Sequence, residues 1–101
     1  MKFLVIRKPR FGTGRVATSK LIREAKQSAA EAIKAGILDC IYAFPGGGGN
    51  VGIANADSAE QLNKRLMATP LFLYSEYEVR ALTDYGKYME NVATALEKAG
   101  S

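Results

Sequence analysis

The sequence predicts an α+β fold of four strands and two helices, followed by a third helix. Segments rich in β-branched and aromatic residues, typical of strands, alternate with segments whose apolar residues recur at the spacing of an amphipathic helix. Glycine, proline and small polar residues separate these segments, as they do at turns and loops. The 101 residues suit one domain, which we expect to have its core within 1–82 and its last helix over 84–99.

Strand one is predicted over KFLVIRK, residues 2–8, which are mostly apolar and end at a proline. A glycine-containing loop follows. Helix one is predicted over 19–35, with Thr18 or Ser19 as its cap and Gly36 in the left-handed position after its end. Its apolar face consists of Leu21, Ile22, Ala25, Ala29, Ala32 and Ile33.

Strands two and three are predicted over ILDCIYAF (37–44) and NVGIANA (50–56), on either side of a glycine run. Gly47, Gly49 and Gly52 match the G-x-G-x-x-G spacing of dinucleotide-binding proteins. In those proteins the glycines lead into a helix whose N-terminus binds the phosphates, whereas a strand follows them here. The run is therefore predicted to form the hairpin loop between strands two and three.

Helix two is predicted over 58–68, because Ser58 and Gln61 form a capping box and Thr69-Pro70 ends the pattern. Its inward-facing residues are predicted to be Leu62, Leu66 and Met67. Strand four is predicted over YSEYEVRAL, which alternates apolar and charged residues with the period of a half-buried strand. Within the last helix, 84–99, the amphipathic pattern extends from about 85 to 98, with an apolar face of Tyr88, Met89, Val92 and Leu96.

This order of elements is the βαββαβ arrangement of ferredoxin-like folds, in which an antiparallel sheet carries both core helices on one face. Strands one and two have apolar residues on both faces, so a second surface must cover the face without helices. We therefore expect a homodimer or larger homo-oligomer, in which two sheets pack face to face as a dimeric α+β barrel with room for a small molecule. The last helix is a second candidate for this cover.

The composition excludes several classes of site. The chain has no histidine, which removes Ser-His-Asp and Cys-His nucleophiles and the H-E-x-x-H metal site. Its single cysteine, Cys40, has no second thiol for a disulfide or zinc motif and is expected to be a small buried hydrophobe. We expect no metal and no membrane span, and the short N-terminal apolar run favours a cytoplasmic protein over a secreted one.

The positive charge is concentrated near the N-terminus, where residues 1–35 hold nine Lys and Arg against two Glu. Arg7, Lys8, Arg10 and Arg15 form a cluster that is either a solvated loop or a binding site for nucleic acid or a carboxylate. The sequence argues against nucleic acid, because predicted strand three has no aromatic residues on which bases could stack.

One segment carries a resemblance to a known family. The stretch LMATPLFLYSEYEV leads from helix two into strand four. It resembles the "PLFPY" motif with a closing "EV" of the muconolactone isomerase family, and Leu73 replaces the motif's second proline. The matching residues are Pro70, Leu71, Phe72, Tyr74, Glu78, Val79 and Leu82.

The resemblance implies a ferredoxin-like subunit that assembles into dimers or larger rings. It also implies a cofactor-free reaction that moves a double bond within a small, carboxylate-bearing lactone. The sequence departs from the family at strand two, where Asp39, Cys40 and Tyr42 stand in a segment that is rich in Trp, Arg and His in the family. A histidine near the hairpin is likewise replaced by the glycine run.

A double-bond shift needs a base for a carbon-bound proton and a donor that stabilises the enolate. Glu76 and Glu78, on one face of strand four, are the predicted catalytic carboxylates that remove the proton, and Tyr42 and Tyr77 are the predicted donors to the enolate. Arg7 and Tyr77 are predicted to bind the substrate, with Arg7 pairing its carboxylate. For all five residues the alternative is an ordinary role on the surface or in the core. For the whole protein the alternative is a barrel that binds small molecules or only assembles, without the family reaction.

Overall fold

The computed structural model describes residues 1–10 and 17–100, in which four strands and three helices follow the predicted order. Their bounds are β1 Lys2–Pro9, α1 Ser19–Lys34, β2 Leu38–Ala43, β3 Asn50–Asn55, α2 Ala59–Met67, β4 Ser75–Leu82 and α3 Tyr85–Lys98. A short 3-10 helix, Phe72–Tyr74, precedes β4 and is absent from the sequence-based prediction. Arg15, a member of the predicted basic cluster, lies outside the described residues.

The four strands form one antiparallel sheet in the order β2-β3-β1-β4, which confirms the ferredoxin-like arrangement. The glycine run connects β2 to β3, as predicted, and the Phe44 N–H donates to the Gly49 carbonyl across the loop. A register shift between Leu38 and Cys40 leaves Asp39 as an extra residue in β2. Such a bulge bends the strand locally and re-aims its side chains.

The pleat of the sheet separates two faces. Phe3, Val5 and Arg7 of β1 lie on the side that carries α1 and α2, which we call the helix face. Leu4 and Ile6 lie on the opposite side, which we call the open face, because successive side chains of a strand alternate. The neighbouring strands follow the same registers, so each row of paired residues belongs to one face.

The buried core is small. In the part of the chain that the structure describes, it consists of Phe3, Val5, Ala54, Ala56 and Leu62. Helix α1 contributes no buried residue, although its apolar stripe was expected to pack inward. Leu62 and Leu66 of α2 pack against the core as predicted, but the prediction for Met67 is wrong, because its side chain is 55% exposed. Met67 follows Leu66 by one residue and is therefore turned about 100° away around the helix.

The helix ends follow the predicted chemistry. Thr18 Oγ1 accepts from the Leu21 N–H, and Ser58 Oγ accepts from the Gln61 N–H. The Gln61 side chain accepts from the Asp57 N–H, one residue before the position expected for a capping box. Gly36 has a φ of 75°, the left-handed conformation that favours glycine after a helix.

Helix α3 extends away from the sheet. Every residue of α3 is exposed except Val92, which is half-buried, and the described chain measures 60 × 30 × 26 Å. Within the described residues α3 therefore does not cover the open face of its own chain, which was one of the two covers expected from sequence. No helix in these ranges is long and apolar enough to span a membrane.

Candidate functional site

A cavity of about 460 Å³ lies between the helix face of the sheet and helices α1 and α2. Small side chains line it on both sides, so the space between the layers is left unfilled. From α1 these are Ala25, Ser28, Ala29 and Ala32, and from β3 they are Gly52 and Ala54. The volume falls within the range of small-molecule sites. The apolar stripe predicted for helix one therefore forms the wall of a cavity.

Arg7 brings a positive charge into this cavity from β1. Its Nη1 donates to Ser75 Oγ at 3.1 Å, and Ser75 Oγ donates to the Leu71 carbonyl at 2.6 Å. Ser75 is itself buried, so this pair of bonds holds one edge of the guanidinium. The Arg7 Nε is buried and has no hydrogen-bond partner among the described residues. An unsatisfied buried donor costs about 1–3 kcal/mol, which a small shift of the side chain onto a ligand oxygen would recover.

The glycine run supports this site through close backbone packing. Gly49 is the residue directly before β3, where the backbone comes close to β1, and it has a φ of 103°. A Cβ on Gly49 would lie 1.8 Å from the Arg7 carbonyl oxygen. Only glycine allows the two backbones to come this close. The hairpin glycine therefore takes part in placing the Arg7 backbone.

Tyr77 lies opposite Arg7 on β4 and also lines the cavity. Its ring stacks on Phe72 with centroids 6.4 Å apart, and its hydroxyl is 3.1 Å from Thr69 Oγ1. Thr69 uses its single hydroxyl proton on the Leu66 carbonyl, at 2.7 Å. Tyr77 must therefore donate to Thr69, which leaves its lone pairs for the cavity. Tyr77 can accept from a ligand in this arrangement, and it can donate to an enolate only after this bond breaks.

Three further polar residues of the cavity were missed by the sequence reasoning. Asn50 pairs with Arg7 in the β1–β3 register, Glu31 lines the cavity from α1, and Arg65 lines it from α2. Arg65 Nη1 donates to the Asn55 carbonyl, and the Glu31 carboxylate accepts from the Gln27 amide. Asn50 had a usable signal, since it is a polar residue at the start of predicted strand three, directly after the glycine run. Glu31 and Arg65 had none, because each falls on the polar side of its helix pattern.

The other three predicted site residues lie on the open face. Tyr42 is 69% exposed, and the registers place it in one row with Val51, Ile6 and Glu78. Glu78 accepts from Arg80 Nη2 at 3.1 Å and lies 3.8 Å from Lys8 Nζ. Glu76 is exposed and faces the same side of β4. The structure thus brings Arg7 and Tyr77 together in the cavity, and places the other predicted residues, Glu76, Glu78 and Tyr42, on the opposite face of the sheet.

Asp39, the bulge residue of β2, belongs to a separate polar cluster at one corner of the open face. Lys2 Nζ donates to one of its carboxylate oxygens at 2.5 Å, and Asn55 Nδ2 donates to the other at 2.7 Å. These two hydrogen bonds, from Lys2 first and then from Asn55, hold the pKa of Asp39 below its ordinary value of 3.8. The Asn55 amide also donates to the Gly36 carbonyl, so the cluster connects β1, β2 and β3 to the end of α1.

Chemically, the cavity offers the Arg7 cation at one end, largely apolar walls, and a second cation, Arg65, which is hydrogen-bonded to the Asn55 carbonyl at the other end. Arg7, Asn50 and Tyr77 lie in one row of the sheet, and the rows beyond them are apolar. This arrangement can bind an anion and exclude water from an attached apolar group. No group of three His, Cys, Asp or Glu side chains in residues 1–10 and 17–100 is arranged to hold a metal ion.

Comparisons with known proteins agree with this fold. The family model described as muconolactone delta-isomerase matches residues 1–98. A crystal structure of muconolactone isomerase superposes with a TM-score of 0.69 at 23% identity, over 84% of this chain and 91% of that one. A 5-chloro-2-hydroxyhydroquinone dehydrochlorinase from Burkholderia phenoliruptrix AC1100, in complex with 2,5-dihydroxybenzoquinone, superposes with a TM-score of 0.59 at 20% identity, over 86% and 98%. No protein with a curated description matches the sequence.

Proposed function

Since the chain belongs to the muconolactone delta-isomerase family, whose model matches residues 1–98, we propose that it is an isomerase-like enzyme. Its proposed reaction shifts a double bond within a small acidic lactone or a related metabolite, without a cofactor. The family membership and the fold support this class of reaction. The residues that perform it are proposed from the geometry of the cavity and of the open face.

The observation that carries the proposal is the buried Nε of Arg7, which faces no partner among the described residues. A carboxylate can accept from two guanidinium nitrogens at once, and such charge-assisted bonds are about twice as strong as neutral ones. Ser75 already holds the Arg7 side chain in place, so little ordering is left for the ligand to impose. Arg7 is therefore the proposed anchor for the acidic group of the substrate.

In the proposed reaction a base removes a proton from the carbon at one end of the unsaturated unit that is conjugated with the carbonyl. The electron pair of the broken C–H bond moves into the carbonyl to give an enolate, and a proton returns to the carbon at the other end of the conjugated system. Substrate and product then have the same atoms. The positive charge of Arg7 stabilises the enolate, and the apolar walls exclude water that would screen this charge.

Two locations are candidates for the base. Glu31 lines the cavity that holds Arg7. Glu76 and Glu78 lie on the open face and take part only if that face also meets a substrate. We propose that two copies of the chain pack open face to open face, as expected from the apolar residues there. The barrel so formed would enclose Glu76, Glu78 and Tyr42.

The proposal is tested by incubating the protein with muconolactone in deuterated water and following the ring protons by NMR. We expect exchange at the carbon next to the carbonyl. Arg7→Met should reduce the exchange rate about 10- to 100-fold, because it removes a hydrogen bond to a charged group. Arg23→Met, the same change at an exposed position of α1 outside the cavity, should leave the rate unchanged. Absence of exchange with the unmodified protein would contradict the isomerase proposal.

The same assay locates the base. Glu31→Gln removes the carboxylate at the cavity, whereas Glu76→Gln and Glu78→Gln remove those on the open face. Glu24→Gln, at an exposed position of α1 that does not line the cavity, is the control. Loss of exchange in Glu31→Gln alone would assign the chemistry to the cavity. Loss in Glu76→Gln or Glu78→Gln would assign it to the barrel between two copies.

A second candidate function is a barrel that binds a small acid without turning it over. One observation favours it: Glu31, the carboxylate that lines the cavity, is exposed and accepts from the Gln27 amide, while Glu76 and Glu78 lie on the other face of the sheet. A base enclosed together with the anchored substrate would then be missing. Saturable binding of muconolactone that Arg7→Met weakens, together with no exchange in deuterated water, would support this function instead.

A further inference from the structure

The cavity is larger than a lactone acid requires. Muconolactone has about ten non-hydrogen atoms, and each occupies less than the volume of one liquid water, about 30 Å³. Such a ligand would therefore fill less than about 300 Å³, whereas the cavity measures about 460 Å³. The remaining space is shaped by residues that are small where larger apolar ones would close it, among them Ala29, Ala32 and Gly52.

The polar and apolar parts of the cavity are separated along the sheet. Arg7 pairs with Asn50 and Tyr77 in the first row, Val5 pairs with Gly52 in the second, and Ala54 lies in the third. The third row begins at Phe3, four residues from Arg7 along β1, a distance of about 13 Å at about 3.3 Å per residue. The cavity thus continues from the Arg7 guanidinium over a length of apolar wall, and Arg65 lies at its far end, where it donates to the Asn55 carbonyl.

Helices α1 and α2 line the same length of the cavity with apolar side chains. Ala29 and Ala32 line the cavity from α1, and Leu62 and Leu66 line it from α2. The other cation of the cavity, Arg65, already donates to the Asn55 carbonyl. Among the described residues Arg7 is therefore the cation of the cavity that has a buried donor without a partner, which a small shift of its side chain would bring onto an anion.

We propose that the cavity binds a carboxylate that carries an apolar chain or ring, larger than a simple lactone acid. The carboxylate lies on Arg7, and the apolar group extends past Val5 and Gly52 towards Ala54 and Leu62. This inference rests on the anion-binding role proposed for Arg7 above and specifies the class of acid that the site accepts. An acid of this class gains affinity from buried apolar surface as well as from the ion pair.

The test is calorimetric titration of the full chain with acetate, hexanoate and decanoate below their aggregation concentrations, and with decanol as the uncharged probe. We expect affinity to rise about fourfold for each buried methylene group. Arg7→Met should weaken decanoate binding about tenfold or more and change decanol binding little. Arg23→Met should match the unmodified protein for both probes.

A second pair of variants tests the apolar wall. Ala29→Leu fills the middle of the cavity from α1 and should flatten the dependence of affinity on chain length. Ala30→Leu makes the same change at the next residue, which is exposed and does not line the cavity, and should leave the dependence unchanged. Circular dichroism of both variants shows whether they fold, and a matched spectrum makes their titrations comparable.

The outcomes separate this inference from the isomerase proposal. Affinity that does not depend on chain length overturns the inference, even if muconolactone exchange is observed. Affinity that rises with chain length and falls in both Arg7→Met and Ala29→Leu supports it, even if no exchange occurs. Binding that rises with chain length but is equal in Ala29→Leu and Ala30→Leu places the apolar group elsewhere and also overturns it.

Discussion

At the scale of single residues, the alternation of each strand decides which side chains meet. Arg7 and Tyr77 are direct partners in the β1–β4 register, so both lie on the helix face and line the cavity. Glu76 and Glu78 flank Tyr77 in sequence and therefore point to the opposite face. A shift of one residue in the register of β4 would exchange these two sets.

The residue-scale prediction concerns Asp39 and pH. Hydrogen bonds from Lys2 and Asn55 lower the folded-state pKa of Asp39 below 3.8, so its ionised form stabilises the fold above that pH. This contribution is lost as the pH falls through the folded-state pKa. Asp39→Asn should therefore lower the free energy of unfolding near neutral pH, and the difference from the unmodified protein should narrow well below pH 3.8.

Urea unfolding followed by circular dichroism at the two pH values measures this difference. The effect should be small, because the side chains of Lys2 and Asp39 are 55% and 40% exposed. Glu90→Gln, on the exposed helix α3, is the control and should change stability little at either pH. If the free energy of unfolding of Asp39→Asn stays lower by the same amount down to low pH, the loss does not come from the hydrogen bonds of the ionised Asp39.

At the scale of elements, the β2–β3 hairpin links the glycine run to the cavity. Gly49 is buried and its φ of 103° lies in the left-handed region. The Arg7 carbonyl oxygen occupies the space that a Cβ would take. The hairpin therefore depends on glycine at position 49 for two independent reasons, backbone conformation and close packing.

Gly49→Ala should destabilise the chain by more than about 3 kcal/mol, because the clash with the Arg7 backbone adds to a strain of about 1–3 kcal/mol. Gly48→Ala is the matched control. Its φ is not in the left-handed region, and the nearest atom to an added Cβ is the Phe44 Cβ at 3.8 Å, an ordinary contact. Urea unfolding of the two variants provides the measurement, and equal stabilities would refute the packing argument.

At the scale of the whole molecule, residues 1–10 and 17–100 leave two apolar surfaces without cover. The open face carries Leu4, Ile6, Val51 and Ile53, and α3 exposes Tyr88, Met89 and Leu96. Contiguous apolar surface of this kind marks interaction sites in soluble proteins. The proposed packing of two open faces covers the first surface, and an extended α3 is free to contact a neighbouring copy.

Ile53→Glu tests this assembly at the middle of the open face, where Ile53 pairs with Leu4 and Cys40. A carboxylate buried between two sheets without a partner is costly, so the variant should dissociate to single chains. Light scattering should show at least twice the 10.9 kDa of one chain for the unmodified protein. Ala30→Glu, on the exposed side of α1, should keep that mass, and a monomeric unmodified protein would contradict the proposal.

Much of this fold was predictable from sequence because its signals are local. Strand alternation, helix period and the caps at Thr18, Ser58 and Gly36 depend on residues a few positions apart, and the structure confirms them. The family motif before β4 is also local, and the family match over residues 1–98 confirms that resemblance. The 3-10 helix Phe72–Tyr74 escaped prediction because a single turn has too few residues to show a period.

The sequence by itself determined the order of the elements, the class of fold and the presence of Arg7 and Tyr77 among the candidate residues. Only the tertiary structure decided that these two share a cavity with Asn50 while Glu76, Glu78 and Tyr42 occupy the other face. It also decided that the alanines of α1 line the cavity between this helix and the sheet. The physical reason is that a pattern of apolar residues specifies which side of an element turns inward. The gap between layers is set by the distances between elements far apart in the chain.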